Sequence, residues 1–377
     1  MPDSNGRARR LKALIIKEFY QAVRDPSSIL ICVVLPLILL FLYGFGVSLD
    51  MNHLRIGLVL EDSSPDAQSF AKALTDSRFF DVTIARHRNA FQEDIVKGTI
   101  RGIVVIPAYF SEFRKRQDMI APIQVIADGS EPNTANFVQN YVQAAWANWL
   151  QQEAISSDLK GLSLINLQTR FWYNEQLESR FFLIPGSMAI TMTLIGTLLT
   201  ALVVAREWER GTMEALMATP VTIFELLVGK LVPYFLLGMG SMFLTTLFAI
   251  LVYHIPLRGS IIVLAIVTGV FLISALSVGL LISTLTRNQF VAAQAAIVAA
   301  FLPGFILSGF LFEISSMPLP IRMLTYLIPA RYFVSCLQTI FLVGNIWPLI
   351  LFNLLYMLVF GIVLFAITAR KTAKRLD

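Results

Sequence analysis

Residues 183–205 read Leu-Ile-Pro-Gly-Ser-Met-Ala-Ile-Thr-Met-Thr-Leu-Ile-Gly-Thr-Leu-Leu-Thr-Ala-Leu-Val-Val-Ala, and residues 206–220 follow at once as Arg-Glu-Trp-Glu-Arg-Gly-Thr-Met-Glu-Ala-Leu-Met-Ala-Thr-Pro. The first run is uncharged and, at about 1.5 Å per helical residue, long enough to cross about 30 Å of hydrocarbon. The second brings five charges within nine residues: Arg206, Glu207, Glu209, Arg210 and Glu214. Another apolar run begins near Leu226. A chain that sets a short, dense, mixed-charge segment between two spans presents it to a soluble partner.

Composition extends this reading to the whole chain. With 56% hydrophobic residues, 15% charged residues and a mean hydropathy of +0.68, the chain does not belong among soluble globular proteins. Six segments qualify as spans: about 28–48, 183–205, 229–253, 260–285, 291–312 and 348–369. Their interiors read as charge-free, with Lys230 placed at an end. An odd-numbered first span followed by five more returns the chain to its starting side. If residue 1 lies in the cytoplasm, the cytoplasmic segments hold 14 Lys and Arg, and the two short outer segments hold only Arg258, Arg322 and Arg331. The large segment 50–182 holds 13 basic and 16 acidic residues. Basic residues gather on the cytoplasmic side, so the pI near 9.2 reports topology and nucleic acid is not expected as a partner. The first span is too long for a signal core and no small-x-small cleavage site precedes the outer segment, so it reads as a retained anchor. Cys32 and Cys336 are the only cysteines and imply no disulfide framework.

The expected class is an α-helical integral membrane protein of six transmembrane helices, with an α/β extracytoplasmic domain inserted between helices 1 and 2. Its segments are 1–26, an interface helix; 27–49, the first span; 50–182, the outer domain; and 183–377, the remaining five spans. Residues 8–24 place Leu11, Leu14, Ile15, Phe19 and Ala22 on one helical face, with Arg9, Arg10, Lys12, Lys17 and Arg24 around the rest. Such a helix lies in the headgroup layer, contacting membrane lipid. Asp25 and Pro26 supply a cap and a first-turn proline for the span that follows. In the outer segment, strands are expected at 55–60, 80–85, 102–106, 123–127 and 167–172, and helices at 66–78, 89–98, 108–117 and 132–156. Phe137, Tyr141, Trp146 and Trp149 on the last helix read as core or interface anchors, or else as a partner surface. Residues 313–347, interrupted by prolines, read as a re-entrant or interfacial hairpin at the outer end.

The chemistry present is sparse. No Gly-x-x-x-x-Gly-Lys-Ser/Thr loop occurs, so ATP is not bound by that route. His53, His87 and His254 are scattered without metal-ligand spacing, so no metal site is expected. Thr191, Thr193, Thr197, Thr200, Ser274, Ser277 and Gln294 are the polar residues of the spans. They suit interhelical hydrogen bonds or, alternatively, a translocation path. Neither reading supplies proton or sodium coupling, so a solute carrier of this design draws its energy from another subunit. Glu207, Arg210 and Glu214 stand at i, i+3 and i+7, one face of a helix, with Gly211 and Thr219-Pro220 as bend and stop. A rigid charged helix of this kind suits docking into a cleft of a nucleotide-driven motor.

At these residues the chain resembles the permease subunits of the ABC-2 type exporter family. The resemblance covers essentially the whole length and rests on Lys17-Glu18, on Arg24-Asp25-Pro26, on residues 204–214 from Val204 to Glu214, and on Ile328-Pro329-Ala330-Arg331-Tyr332. It is strongest for six-span members with a large outer domain, such as multidrug-efflux permeases of Gram-negative inner membranes. The resemblance implies two permease chains, a homodimer or a heterodimer with a sibling. Each would dock an ATP-binding cassette ATPase subunit that holds the ATP and magnesium, leaving this chain without cofactor or catalytic residues. It also implies a coupling segment that includes Arg206, Glu207, Glu209, Arg210, Gly211, Thr212 and Glu214. A second contact would lie at Lys17, Glu18, Arg24 and Asp25, an outer gate at Pro329, Arg331 and Tyr332, and pathway walls at the second and fifth spans. A periplasmic membrane-fusion adaptor is a further possible partner.

Drugs or other small amphipathic compounds are the implied cargo. The alternatives are an exporter of polysaccharide or lipid-linked material, against which the large outer domain counts, and a membrane-anchored ligand sensor. The sensor would need an output domain that the sequence lacks. For the outer domain the residues leave three roles open: docking an adaptor, gating the exit, or bracing the dimer.

Overall fold

Every long apolar run of the sequence is helical in the computed structural model, which describes residues 4–46, 53–115, 123–129, 132–156, 173–174 and 178–372. The chain divides into two units, Met1–Ser48 with Arg170–Asp377, and Leu49–Thr169.

The smaller unit is built on a four-stranded sheet. Strands β1 (Leu54–Leu60), β2 (Phe80–Ala85), β3 (Gly102–Ile106) and β4 (Gln124–Ala127) take the order β2-β1-β3-β4. The first three are parallel and β4 is antiparallel to β3, with Ile56 opposite Gly102 and Gly102 opposite Ala127. β3 (Gly-Ile-Val-Val-Ile) is buried throughout, as expected of a central strand covered on both faces. The expected fifth strand, 167–172, lies outside the described residues.

Two longer helices cover one face: α3 (Pro65–Thr75), and α6 (Pro132–Ser156) after the short α4 (Gln92–Val96) and α5 (Phe110–Lys115). Phe70 and Leu74 of α3 and Val138, Val142 and Trp149 of α6 close on Ile56, Leu58 and Val104. Trp146 and Trp149 stack with centroids 5.0 Å apart, and the Trp149 indole donates to Ser69 Oγ at 3.0 Å. The aromatic row of α6 therefore belongs to the core, which decides between the two readings of it. Asp62, at the end of β1, accepts hydrogen bonds from the Ser64 and Ser111 amides at 2.8 and 3.0 Å and fastens the two helix starts to the sheet.

The described part of the larger unit opens with α1 (Ser4–Arg24) and, among the described residues, holds six helices long and apolar enough to cross a membrane. They are α2 (Pro26–Gly46), α7 (Ser179–Glu209), α9 (Ile223–Leu251), α10 (Ile261–Thr286), α11 (Gln289–Leu307) and α14 (Trp347–Lys371), with a short α8 (Thr212–Met217) between α7 and α9. Wide π-type turns at Leu30–Val34 in α2 and Ile297–Phe301 in α11 precede Pro36 and Pro303. Each proline lacks the N–H that would close the regular turn, and the widened ladder absorbs the defect.

α7 is the axis of the bundle, enclosed on nearly all sides by the chain's own helices. Its main neighbour is α10, and small residues set that approach. A Cβ on Gly279 would stand 2.2 Å from the Thr197 carbonyl oxygen, and one on Gly196 would stand 2.7 Å from Ala275 Cβ. Without a hydrophobic drive between helices in lipid, backbone contact of this kind supplies the packing. The hydroxyls point inward as well. Thr191, Thr193 and Thr197 donate to carbonyls one turn back at 2.7 to 2.9 Å, and Thr200 donates to Leu276 O of α10 at 2.9 Å.

Ser274 and Ser277 are likewise buried, and Gln294 alone of the seven is exposed. Six of the seven are thus enclosed in the bundle, and of these Thr200 and Ser274 donate across to carbonyls of a neighbouring helix. The second span offers no open face within this chain as a pathway wall. α11 is the contrary case, with most of its surface uncovered.

The prolines of 313–347 give a broken hairpin: a turn at Ile314–Ser316, α12 (Leu319–Thr325) and α13 (Pro329–Leu342). α13 buries Phe333, Leu337, Ile340 and Phe341 in the bundle, with Phe333 stacked on Phe271 at 3.9 Å.

Candidate functional site

The residues singled out between 206 and 220 do not form one helix. α7 runs on past the apolar stretch to Glu209, and Gly211 breaks it with φ +67° in the left-handed region that glycine occupies without a Cβ penalty. α8 then starts at Thr212. Glu207 and Glu214 accordingly stand on different helices, and the expected common face of Glu207, Arg210 and Glu214 does not exist. Glu207, at 5% exposure, turns into the protein. Arg210 and Glu214 face outward.

What Glu207 meets inside is a cluster assembled from three helices. Lys230, about two turns into α9 and 2% exposed, donates to Glu207 Oε1 and to Glu18 Oε1 of α1, both at 3.0 Å. Lys17 donates to the same two oxygens, at 3.4 Å to Glu207 and 3.0 Å to Glu18. Thr212 donates to the second oxygen of Glu207. Two cations thus alternate with two carboxylates, and the group is neutral as a whole. Burying one of these charges alone would cost several kcal/mol, so the four residues stabilise one another and fix α1, α7 and α9 relative to each other.

Lys230 is therefore not an end residue, because α9 begins two turns before it, at Ile223. Thr222 caps that start, accepting from the Glu225 amide at 3.2 Å while Glu225 accepts from the Thr222 amide at 2.7 Å. Glu225 also pairs with Arg10 at 3.3 Å, a second tie from α1 to α9. Gly229 leaves room for this approach, since a Cβ there would lie 3.0 Å from Leu14 Cβ.

The apolar face expected on α1 is accordingly divided. Leu14, Glu18 and Ala22 lie on the packed side, whereas Phe19 joins the exposed Ile16, Tyr20 and Val23. Arg24 lies over the Tyr20 ring at 5.7 Å.

Around the cluster, the remaining charges are individually placed. Asp25 caps α2 through the Ser27 amide at 3.2 Å and accepts from Arg206 at 2.9 Å. Burial works against the Asp25 anion, yet the Arg206 guanidinium and the Ser27 and Ser28 donors prevail and hold its carboxyl below the usual range. Lys17 shows the same contest. Burial opposes its charge, but Glu18 and Glu207 overcome this and raise it above the ordinary lysine value. Glu209 accepts from the Gln289 backbone amide at 2.8 Å and from its side chain. Arg287 lies over the Trp208 ring at 4.6 Å.

Arg210 and Glu214 are the two charges of the segment that enter none of these pairs among the described residues. Beside them, a cleft of about 420 Å³ opens between α1 and α8, lined by Lys17, Gln21, Arg206, Arg210, Leu216 and Thr219. The arrangement is a short outward-facing helix, α8, whose root is clamped by a buried ionic cluster to two other helices. The cluster joins the end of α7 to α1 and α9, and Thr212 at the start of α8 bonds to the same Glu207 carboxylate.

Sequence reading missed Lys230, Glu225, Arg10 and Gln289. A lone lysine in the apolar Leu-Leu-Val-Gly-Lys-Leu-Val-Pro stretch was the available signal, since such a cation requires a buried partner. The three residues assigned to an outer gate gather at the start of α13. Pro329 occupies its first turn. Arg331 donates to Thr325 and lies 4.1 Å from the Tyr326 ring centroid, and Tyr332 donates to the Tyr326 carbonyl at 3.1 Å. Among the described residues no three His, Cys, Asp or Glu side chains converge as metal ligands.

Comparison with known proteins bears on this geometry. The family profile described as "ABC-2 family transporter protein" matches residues 26–370. The "Probable multidrug ABC transporter permease YbhS" of Escherichia coli (strain K12) is 51% identical over 98% of this chain and 98% of its own length. The "Probable multidrug ABC transporter permease YbhR" of the same organism is 30% identical over 90% of this chain and 94% of its own length. The "Inner membrane transport permease YhhJ" of that strain is 27% identical over 60% of this chain and 62% of its length.

Proposed function

We propose a function that starts from family membership: the chain belongs to the ABC-2 family of transporter proteins. It is the membrane-spanning permease subunit of an ATP-binding cassette efflux transporter. The ATPase subunit docks where α8 projects, on the cytoplasmic side, with the smaller α/β unit on the periplasmic side of a bacterial inner membrane. Two permease chains, alike or paired with a sibling, form the pathway, and the ATP and magnesium belong to the ATPase subunits. The multidrug names carried by the relatives favour drugs and other small amphipathic compounds as cargo. A periplasmic adaptor would meet the α/β unit.

The observation that carries the docking site is the division of labour among the charges of 206–214. Glu207 and Arg206 are consumed inside the protein, and Arg210 and Glu214 are left displayed on either side of a glycine bend. A partner that binds there grips a lever whose root is fixed in the bundle. Co-expression with a candidate ATP-binding cassette ATPase subunit tests the reading. The two should co-purify from mild detergent, and the double variant Arg210→Glu, Glu214→Lys should reduce recovery of the ATPase at least about tenfold, a loss of roughly 1.4 kcal/mol. Unchanged recovery by the double variant places the docking surface elsewhere.

A further inference from the structure

At the other end of α7 from the charged cluster, a cleft reaches Arg331, one of the three residues assigned to the outer gate. Phe182, in the first turn of α7, is separated from Glu207 by nearly the full helix. The cleft it borders encloses about 580 Å³, within the range of small-molecule sites. Its walls combine two chemistries. Phe182, Leu311 and Ile314 supply apolar surface, and Arg331, Glu313 and Gln338 bring a cation, an anion and an amide to the same space.

The polar groups are unevenly satisfied. Arg331 is steadied from behind by Tyr326 and by Thr325. Glu313 accepts a hydrogen bond from Ser315. Gln338 Nε2 is enclosed by the protein, so of these groups Arg331 is the donor that the cleft presents.

We propose that this cleft is a binding site for a zwitterionic amphiphile. An anionic head accepts from Arg331, an adjoining ammonium faces Glu313, and an alkyl or ring body lies on Phe182, Leu311 and Ile314. The guanidinium decides the polarity of the head, because a cation alone would meet Arg331 unfavourably. The carboxylate decides the class, because a plain anion would meet Glu313 unfavourably. Binding at this site does not depend on the export reading and is measurable without the ATPase.

Titration of the full chain in maltoside micelles with three single-chain probes tests the assignment. These are lysophosphatidylethanolamine, lysophosphatidylglycerol and an alkyltrimethylammonium. The phosphoethanolamine probe should bind most tightly. Arg331→Gln should weaken both phosphate probes about tenfold, in line with the loss of one charge-assisted hydrogen bond. Arg331→Lys should retain part of the binding, which separates loss of charge from misfolding.

Glu313→Gln alters an exposed residue and should remove the preference for ethanolamine over glycerol. Equal binding of all three probes, or binding indifferent to Arg331 and Glu313, overturns the proposal. In proteoliposomes with the ATPase, ATP-driven movement of the labelled ethanolamine probe identifies the occupant as cargo. Retention without movement identifies it as a resident membrane lipid.

Discussion

Lys230 is the residue on which the charged end turns. It touches both carboxylates of the cluster at 3.0 Å and is almost wholly enclosed. Replacing it with methionine leaves Glu18 and Glu207 sharing only Lys17, so Lys230→Met should destabilise the membrane unit by about 3 kcal/mol, the low end for breaking a buried pair. The double variant Lys230→Met, Glu207→Gln should cost clearly less than the sum of the single changes, and a denaturation cycle in detergent reads the difference. Charge reversal at Glu207 should cost folding itself, so Glu207 is unsuited to probing the docking surface.

The neighbouring titrations set a pH window. Asp25 is lowered in the folded state, so the Arg206 link contributes above the ordinary carboxylate pKa near about 3.9 and is lost as pH falls through the lowered value. Lys17 is raised, so its contribution is complete below the ordinary lysine value and is lost as pH rises through the raised one. Stability of α1 docking should therefore be flat around neutrality, and Asp25→Asn should shrink the acid limb of a pH-melting profile, the remainder belonging to the paired carboxylates of Glu18, Glu207 and Glu225.

At the scale of elements, backbone contact between α7 and α10 is the most demanding feature. Gly279→Ala places a methyl against the Thr197 carbonyl at a distance no real contact tolerates, so it should force the helices apart and sharply reduce recovery of folded protein from the membrane. The control Gly240→Ala, on α9 with nothing within 4 Å, should be recovered normally. The long helices were legible in the sequence because a 20-residue uncharged run has few alternatives, and the Asp25-Pro26 start of α2 because capping is local. The fold of 206–220 was not. Charge spacing alone treats that stretch as one helix, whereas the outcome depends on Gly211 adopting a positive φ and on Glu207 finding partners at residues 17 and 230. Those partners are remote in sequence, and one of them looked like a span end until Thr222 and Glu225 set the start of α9 further back.

Across the whole molecule, the described structure joins a bundle axis filled by its own side chains to a lever at one end and an amphiphilic cleft at the other. Within the described chain α7 is covered by its own neighbours, and α11 is the most open of the spans. Family membership fixes the protein as a permease of an ATP-driven exporter. The account's central claim is narrower: α8, rooted in the ionic cluster, is where the ATPase stroke enters. The most direct test reconstitutes permease and ATPase in proteoliposomes and measures cargo moved per ATP hydrolysed for the wild type and for Arg210→Glu, Glu214→Lys at matched complex content. The account expects the ratio to fall at least about tenfold while Gly240→Ala leaves it unchanged. An unaltered ratio in the double variant would contradict it.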